Sequence, residues 1–221
     1  MTTVAEPVVE IETMSDLLER LGDIAPGRVL VKPAPGTATV QDVIAIHSRT
    51  GRLCELLDGT LVEKAKGLRE SILAGAILAA LRGYVMPRQL GLVSGESGMM
   101  RLFAGLVRIP DVAFVSWDHI PGRRVPSEPV PQLVPSIAVE VLSESNTRGE
   151  MERKRREYFK AGVEVVWIVD PESRTVDVYT SLQKLITLTE MDTLDGGAVL
   201  PGFTLPLRDL FSELDLAAPQ P

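Results

Sequence analysis

The sequence has few of the residues that form disulfides and soft metal centres. Its 221 residues include one cysteine, Cys54, and two histidines, His47 and His119. A single cysteine excludes an internal disulfide and argues against a cysteine-based zinc site. Neither histidine lies in a context expected of a metal ligand or of a catalytic triad. If the chain binds a metal ion, we therefore expect carboxylates to hold it.

Long apolar runs are also absent. No stretch approaches the roughly 18 uninterrupted apolar residues that a membrane helix needs, and residues 1–6 lack the basic and apolar regions of a signal peptide. We therefore expect a cytoplasmic protein that does not use a membrane. The net charge of −7 argues against coating of nucleic acid through bulk electrostatics, although it leaves room for a local basic patch.

The composition predicts one globular domain with peripheral additions, because 45% of the residues are apolar. Residues 1–46 are interpreted as a leader, with a short amphipathic helix over 14–21 and a connector rich in proline and glycine. The main domain is expected over residues 47–212, followed by a disordered tail over 213–221. We expect no chemistry from the leader.

Several elements can be predicted inside the domain. Asp58-Gly59 predicts a tight hairpin turn, and apolar residues at helical spacing predict a helix over 68–85. Short strands should follow over 91–94, 98–103 and 106–115, and five prolines between 121 and 135 predict an extended loop. A helix bounded by Thr147 and Gly162 lies between two apolar strands, which indicates a crossover joining parallel neighbours.

The first of these two strands, residues 137–143, carries the carboxylate of Glu140 among apolar neighbours. An ionised carboxylate buried there needs a partner or a metal ion, because it loses several kcal/mol of hydration. Asp111 and Lys154 are the candidate partners. On a helical wheel Lys154 and Arg155 both flank the inward stripe, so the wheel does not choose between them; Arg153, Arg156 and Lys160 are expected to point away.

Two carboxylates and a lysine at the end of a mixed sheet suit metal-assisted hydrolysis of phosphodiesters. Without a cation, the carboxylates of Asp111 and Glu140 at about 4 Å would repel by about 4 kcal/mol at an effective dielectric near 20. The alternative is structural: Asp111 caps a turn, Glu140 forms a buried ion pair with Lys154 or Arg155, and nothing catalytic occurs.

The chain resembles the Uma-two family of restriction endonucleases over about residues 50–212. The resemblance lies in the segments Glu55–Lys64, Val107–Phe114, Ala138–Thr147, Glu150–Lys154, Tyr158–Val163, Val166–Pro171, Leu194–Gly197 and Leu200–Phe203. That family looks like a branch of the PD-(D/E)XK nuclease superfamily. The resemblance implies an α/β (α+β) fold, a restriction-endonuclease-like mixed β-sheet flanked by helices, with a site for magnesium or a similar ion.

The same resemblance implies roles for individual residues. Asp111 would be the first metal-binding aspartate, Glu140 the acid of the second motif, and both would bind Mg²⁺ or Mn²⁺. The usual lysine of the superfamily falls at Leu142, which cannot act as a cation, and in the resembling family it has moved to the position of Lys154. Glu70 and Glu55 are secondary candidates.

The implied function is a metal-dependent endonuclease that hydrolyses phosphodiester bonds of nucleic acid, with DNA as the expected substrate. A homodimer is compatible with this function, although the sequence indicates no interface. The alternative is a catalytically silent module on the same fold that binds nucleic acid or regulates a partner.

Overall fold

The computed structural model describes residues 11–65 and 67–215. It contains five α-helices: α1 (Met14–Leu21), α2 (Val40–Thr50), α3 (Leu68–Arg88), α4 (Arg148–Ala161) and α5 (Leu207–Ser212). Its strands are β1 (Cys54–Leu57), β2 (Thr60–Glu63), β3 (Gly91–Ser94), β4 (Met100–Phe103), β5 (Leu106–Arg108), β6 (Val112–Ser116), β7 (Ile137–Val141), β8 (Val165–Asp170), β9 (Thr175–Tyr179), β10 (Leu185–Thr189), β11 (Thr193–Gly196) and β12 (Leu200–Pro206).

A six-stranded mixed sheet forms the centre of the fold. Its strand order is β10-β9-β8-β7-β6-β3, and β7 and β8 are its one parallel pair in the described chain. The helix α4 connects these two strands, because parallel neighbours need a crossover. Thr147 caps its first turn and Gly162 ends it in the left-handed region. The predicted crossover and the mixed sheet flanked by helices are thus confirmed.

The two faces of this sheet are covered by different helices. Ile137, Val139 and Val141 of β7 pack in the core formed with α3 and α5, whereas Ala138 belongs to the core that contains Tyr158 of α4. Because side chains alternate along a strand, Glu140 shares the face of Ala138 and points towards α4. Strand alternation therefore directs this carboxylate to the helix that carries Lys154.

A second, four-stranded antiparallel sheet has the order β2-β1-β5-β4. The β1–β2 turn places Asp58 and Gly59 at φ 47° and 72°, which confirms the predicted hairpin. Residues 106–115 do not form the single strand that the apolar pattern suggested. The chain leaves one sheet after β5 and enters the other at β6, since Pro110 has no N–H for the ladder.

The described part of the leader packs into this body. The helix over 14–21 is confirmed, whereas α2, which carries His47, was not predicted. Leu17, Leu21 and Ile24 are buried in the same core as Tyr158. The division at residues 46 and 212 stays a prediction, and residues 216–221 of the expected tail lie outside the described residues.

Within the described ranges, no helix combines the length and the apolarity that crossing a bilayer requires.

Candidate active site

The candidate site lies where the two sheets meet. Asp111 directly precedes β6, and its N–H donates to the carbonyl of Val139 at 2.9 Å. Its Oδ2 accepts from the N–H of Val141 at 2.7 Å. Because Val141 is the last residue of β7, this bond holds the Asp111 side chain at the carboxyl end of that strand.

Glu140 is buried beneath α4, and both of its oxygens are hydrogen-bonded. Its Oε2 lies 2.8 Å from Nζ of Lys154, and its Oε1 accepts from the hydroxyl of Tyr158 at 2.5 Å. Glu140 and Lys154 are only 3% and 4% exposed. Lys154 and Tyr158 are four residues apart, so they lie on one face of the helix, where both reach the same carboxylate.

The structure distinguishes the two cations that the helical wheel left open. Lys154 faces Glu140, whereas the guanidinium of Arg155 lies over the ring of Tyr179, 4.3 Å from its centroid. The expectation that Arg153 points away is wrong. Its guanidinium is buried and donates to the carbonyl of Arg20 and to Asp58, because α1 and the β1–β2 hairpin cover that side of α4.

A second lysine, Lys64, completes the surroundings of Asp111. Its Nζ lies 2.8 Å from Oδ1 of Asp111 and donates to the carbonyl of Ile109 at 2.7 Å. Lys64 directly follows β2 and is buried. Lys64 was not predicted as a site residue. Its position at the end of an apolar strand could have indicated it, since a charged residue beside a buried strand needs a partner, as Glu140 does.

Of the two secondary candidates, Glu55 belongs to the cluster. Its Oε2 lies 2.5 Å from the buried guanidinium of Arg108, and its Oε1 accepts from the N–H of Ile109 at 3.0 Å. The same Oε1 is 3.8 Å from Nζ of Lys154. Glu55 therefore contacts the lysine of the site, and both of its oxygens already have strong donors.

Glu70 is not part of this cluster. It lies in the first turn of α3, and a Cβ built on Gly67 would meet its Oε2 at 1.8 Å, so its carboxylate packs against the backbone that precedes the helix. Among the described residues it makes no ion pair with the lysines of the site.

The pKa values of Glu140, Lys154 and Glu55 are shifted by burial and by one another's charges. Burial raises the pKa of Glu140, and the neighbouring Asp111 and Glu55 raise it further against the opposing effect of Lys154. Burial alone would lower the pKa of Lys154, but Glu140 and Glu55 outweigh it and raise that pKa. Burial alone would raise the pKa of Glu55, but Arg108 and Lys154 bring it to about 2. The charged form of Glu140 is therefore disfavoured relative to a free carboxylate, chiefly because the group is buried.

The donor set fits a hard divalent cation of the magnesium type. Each oxygen of Asp111 and Glu140 accepts one bond from the protein, and a carboxylate oxygen can accept a second. Within the described ranges, no group of three or more His, Cys, Asp or Glu side chains is placed to hold a metal ion. Two carboxylates suffice for Mg²⁺, which usually keeps several waters and takes further oxygens from substrate phosphate.

Comparisons with known proteins agree with this architecture. The profile of the Uma2 family, described as "Putative restriction endonuclease", matches residues 40–208. The crystal structure of a putative nuclease belonging to DUF820 from Anabaena variabilis ATCC 29413 is similar, with a TM-score of 0.66 and 20% sequence identity. The similarity covers 75% of this chain and 93% of that one, and it shows a shared fold. No curated protein matches the chain.

Proposed function

Because the chain belongs to the Uma2 family, we propose that it is a metal-dependent endonuclease that hydrolyses phosphodiester bonds of nucleic acid, with DNA as the expected substrate. One observation carries the proposal. The fold brings Asp111, Glu140 and Lys154 into one cluster beside an open groove, although Leu142 occupies the usual lysine position. Only the position of the ammonium group matters for its chemistry, so a lysine on α4 can replace one on β7.

In this proposal Asp111 and Glu140 hold Mg²⁺ or Mn²⁺. Such an ion, when bound, polarises a phosphoryl oxygen and lowers the pKa of a coordinated water. Lys154 orients the attacking water or stabilises negative charge that develops at the phosphate. Tyr158 and Glu55 are positioning residues, since they contact the carboxylate and the ammonium of this pair.

A second candidate function is favoured by a specific observation. All four oxygens of Asp111 and Glu140 already have donors within the protein, and two lysines neutralise the two carboxylates. A cluster satisfied in this way can be purely structural, as in a catalytically silent module that binds nucleic acid or regulates a partner. Metal binding separates the two functions.

The first test measures cleavage of DNA by the purified protein with Mg²⁺ or Mn²⁺. We expect Asp111→Asn and Lys154→Gln each to reduce the cleavage rate by about 10²–10³-fold, the range for removing one electrostatic stabiliser of a transition state. Exposed residues supply matched controls: Asp118→Asn and Lys160→Gln should cleave like the wild type. Equal residual nicking by all five proteins would attribute the activity to a contaminant and contradict the proposal.

The second test titrates Mn²⁺ into the wild-type protein in a calorimeter. We expect the wild-type protein and Asp118→Asn to give a binding heat and Asp111→Asn to give none. All three proteins should melt cooperatively, which shows that they are folded. If the wild-type protein gives no heat at millimolar Mn²⁺, the silent module is the better description of this chain.

A further inference from the structure

A groove runs along α3 and passes the ion pair of Lys64 and Asp111. It has two lobes of about 350 Å³ each, and Ser71 and Glu96 line both. Asp111 lines the inner lobe and Lys64 the outer one, so the pair lies between them. Within the candidate site, Asp111 and Lys64 therefore face the groove, whereas Glu140 and Lys154 line neither lobe.

The walls of the inner lobe are made of small residues. Gly75 and Ala74 of α3 form one wall, and the turn over 95–98 forms the other. Gly95 and Leu78 approach closely in this lobe, since a Cβ built on Gly95 would lie 3.2 Å from Cδ2 of Leu78. Each lobe is near the lower limit of the ~300–1,000 Å³ of small-ligand sites, which suits a single nucleotide.

The charges and apolar groups of the groove favour a base over a duplex backbone. Among the described residues that line it, Lys64 is the one basic side chain, and its ammonium is already bound to Asp111. Glu96 and Asp111 are acidic, so a phosphate in the groove relies on the metal ion proposed at Asp111. Duplex binding depends on several lysine or arginine contacts with phosphates. Apolar side chains do face the lobes, Leu78 in the inner one and Leu53 and Leu68 in the outer one.

We infer that this groove accepts two successive unpaired nucleotides, one in each lobe, with the phosphate between them at the pair of Lys64 and Asp111. The substrate class is therefore single-stranded or locally unpaired nucleic acid. A base must leave the stack to enter a pocket of this size. This inference rests on the proposed nuclease function and specifies the form of its substrate.

Two glycines of α3 provide the test. A Cβ added at either Gly75 or Gly83 meets nothing within 4 Å, but only Gly75 lines the inner lobe. Gly75→Leu should fill that lobe, whereas Gly83→Leu makes the same change on the same helix outside it. Both should strengthen α3, because leucine has a higher helix propensity than glycine. Gly75→Ala gives a smaller obstruction.

The measurement is fluorescence anisotropy of a labelled single-stranded oligothymidine and of a blunt duplex, in Ca²⁺, which takes the same oxygen ligands as Mg²⁺. We expect the wild-type protein to bind the single strand at least about tenfold more tightly than the duplex, the order of one base contact. Gly75→Leu should lose about that factor for the single strand, Gly75→Ala less, and Gly83→Leu none. Cleavage of both substrates in Mn²⁺ is measured in parallel.

The outcomes separate this inference from the function on which it rests. Equal binding of both substrates by the wild-type protein, or undiminished binding by a folded Gly75→Leu variant, overturns the inference. If the duplex is then cleaved at the same rate by the wild-type protein and by Gly75→Leu, the proposed nuclease function is supported, but the groove is not where the substrate binds. No binding and no cleavage of either substrate contradicts both proposals.

Discussion

At the scale of single residues, the cluster consists of charged side chains that would lose much hydration energy on burial if they had no partners. Glu55, Glu140, Arg108 and Lys154 are all buried, and each has an oppositely charged partner within 4 Å. Removing one member of such a set leaves its partner buried and uncompensated, which typically costs 3–5 kcal/mol. The electrostatics of the site therefore depend on Arg108 and Glu55 as well as on the candidate metal ligands.

The pair of Arg28 and Glu150 shows the same principle outside the site. The Arg28 guanidinium donates to both carboxylate oxygens, at 2.9 and 2.8 Å, and Asn146 donates to one of them. Burial alone would raise the pKa of Glu150, but the hydrogen bonds from Arg28 and the charge of Lys154 outweigh it and lower that pKa. The carboxylate is therefore more acidic in the folded chain than in the unfolded one.

We predict that Glu150→Gln lowers the free energy of unfolding by about 3 kcal/mol at neutral pH, the lower end for breaking a buried pair. A lowered folded-state pKa stabilises the fold above the unfolded-state pKa, and this stabilisation is lost as pH falls through the folded-state value. The difference between variant and wild type should therefore shrink below about pH 4 in urea titrations. Glu172→Gln, which breaks the exposed pair with Arg69, should change stability by less than about 1 kcal/mol.

At the scale of elements, α4 connects the leader to the site. Its buried side carries Lys154 and Tyr158 to Glu140, while its N-terminus contacts the end of α1. The hydroxyl of Thr147 donates to the carbonyl of Gly22, and a Cβ built on Gly149 would lie 2.9 Å from that same carbonyl oxygen. Close approach of the two backbones thus requires glycine at Gly149.

We predict that Gly149→Ala destabilises the protein by about 1–3 kcal/mol, the range for overpacking. Alanine normally stabilises a helix relative to glycine by about 0.5–1 kcal/mol. A loss of stability in Gly149→Ala would therefore indicate the close backbone contact. Gly83→Ala, in open space on α3, should show that ordinary gain. Thermal unfolding of both variants measures the difference, and equal stabilisation of both would contradict the close contact of α1 with α4.

At the scale of the whole molecule, the site exists because the chain passes from one sheet into the other between β5 and β6. The chain passes from the four-stranded sheet into the six-stranded one across Pro110 and Asp111. The first sheet supplies Glu55 and Arg108, the second supplies Glu140, and the residue after β2 supplies Lys64. Loss of either sheet would therefore remove part of the cluster.

The leader contributes buried side chains to the core of the domain. Leu17, Leu21 and Ile24 are buried, and each such side chain contributes about 1.5–3 kcal/mol of apolar burial. We predict that a chain beginning at residue 47 melts at a markedly lower temperature, or without cooperativity, whereas one beginning at residue 11 keeps every described contact and melts as the full chain does. A cooperative, undiminished transition of the shorter chain would instead establish an independent domain over 47–212.

The sequence by itself determined the local elements and the identity of the central residues. The Asp58-Gly59 turn, the caps of α4 and the apolar strand around Glu140 depend on neighbouring residues, so they could be predicted from spacing and turn chemistry. The resemblance gave Asp111 and Glu140 their expected metal-binding roles and selected Lys154 over Arg155. These were predictions about types of residue and the faces they occupy.

Only the tertiary structure decided which distant charges meet. Lys64, Arg108 and Tyr158 join the cluster through contacts between β2, β5, β7 and α4, and Arg153 is buried because α1 and the β1–β2 hairpin cover it. Periodicity within one segment carries no information about which other segment packs against it. The burial of a charge, and therefore its pKa and its chemistry, depends on that packing.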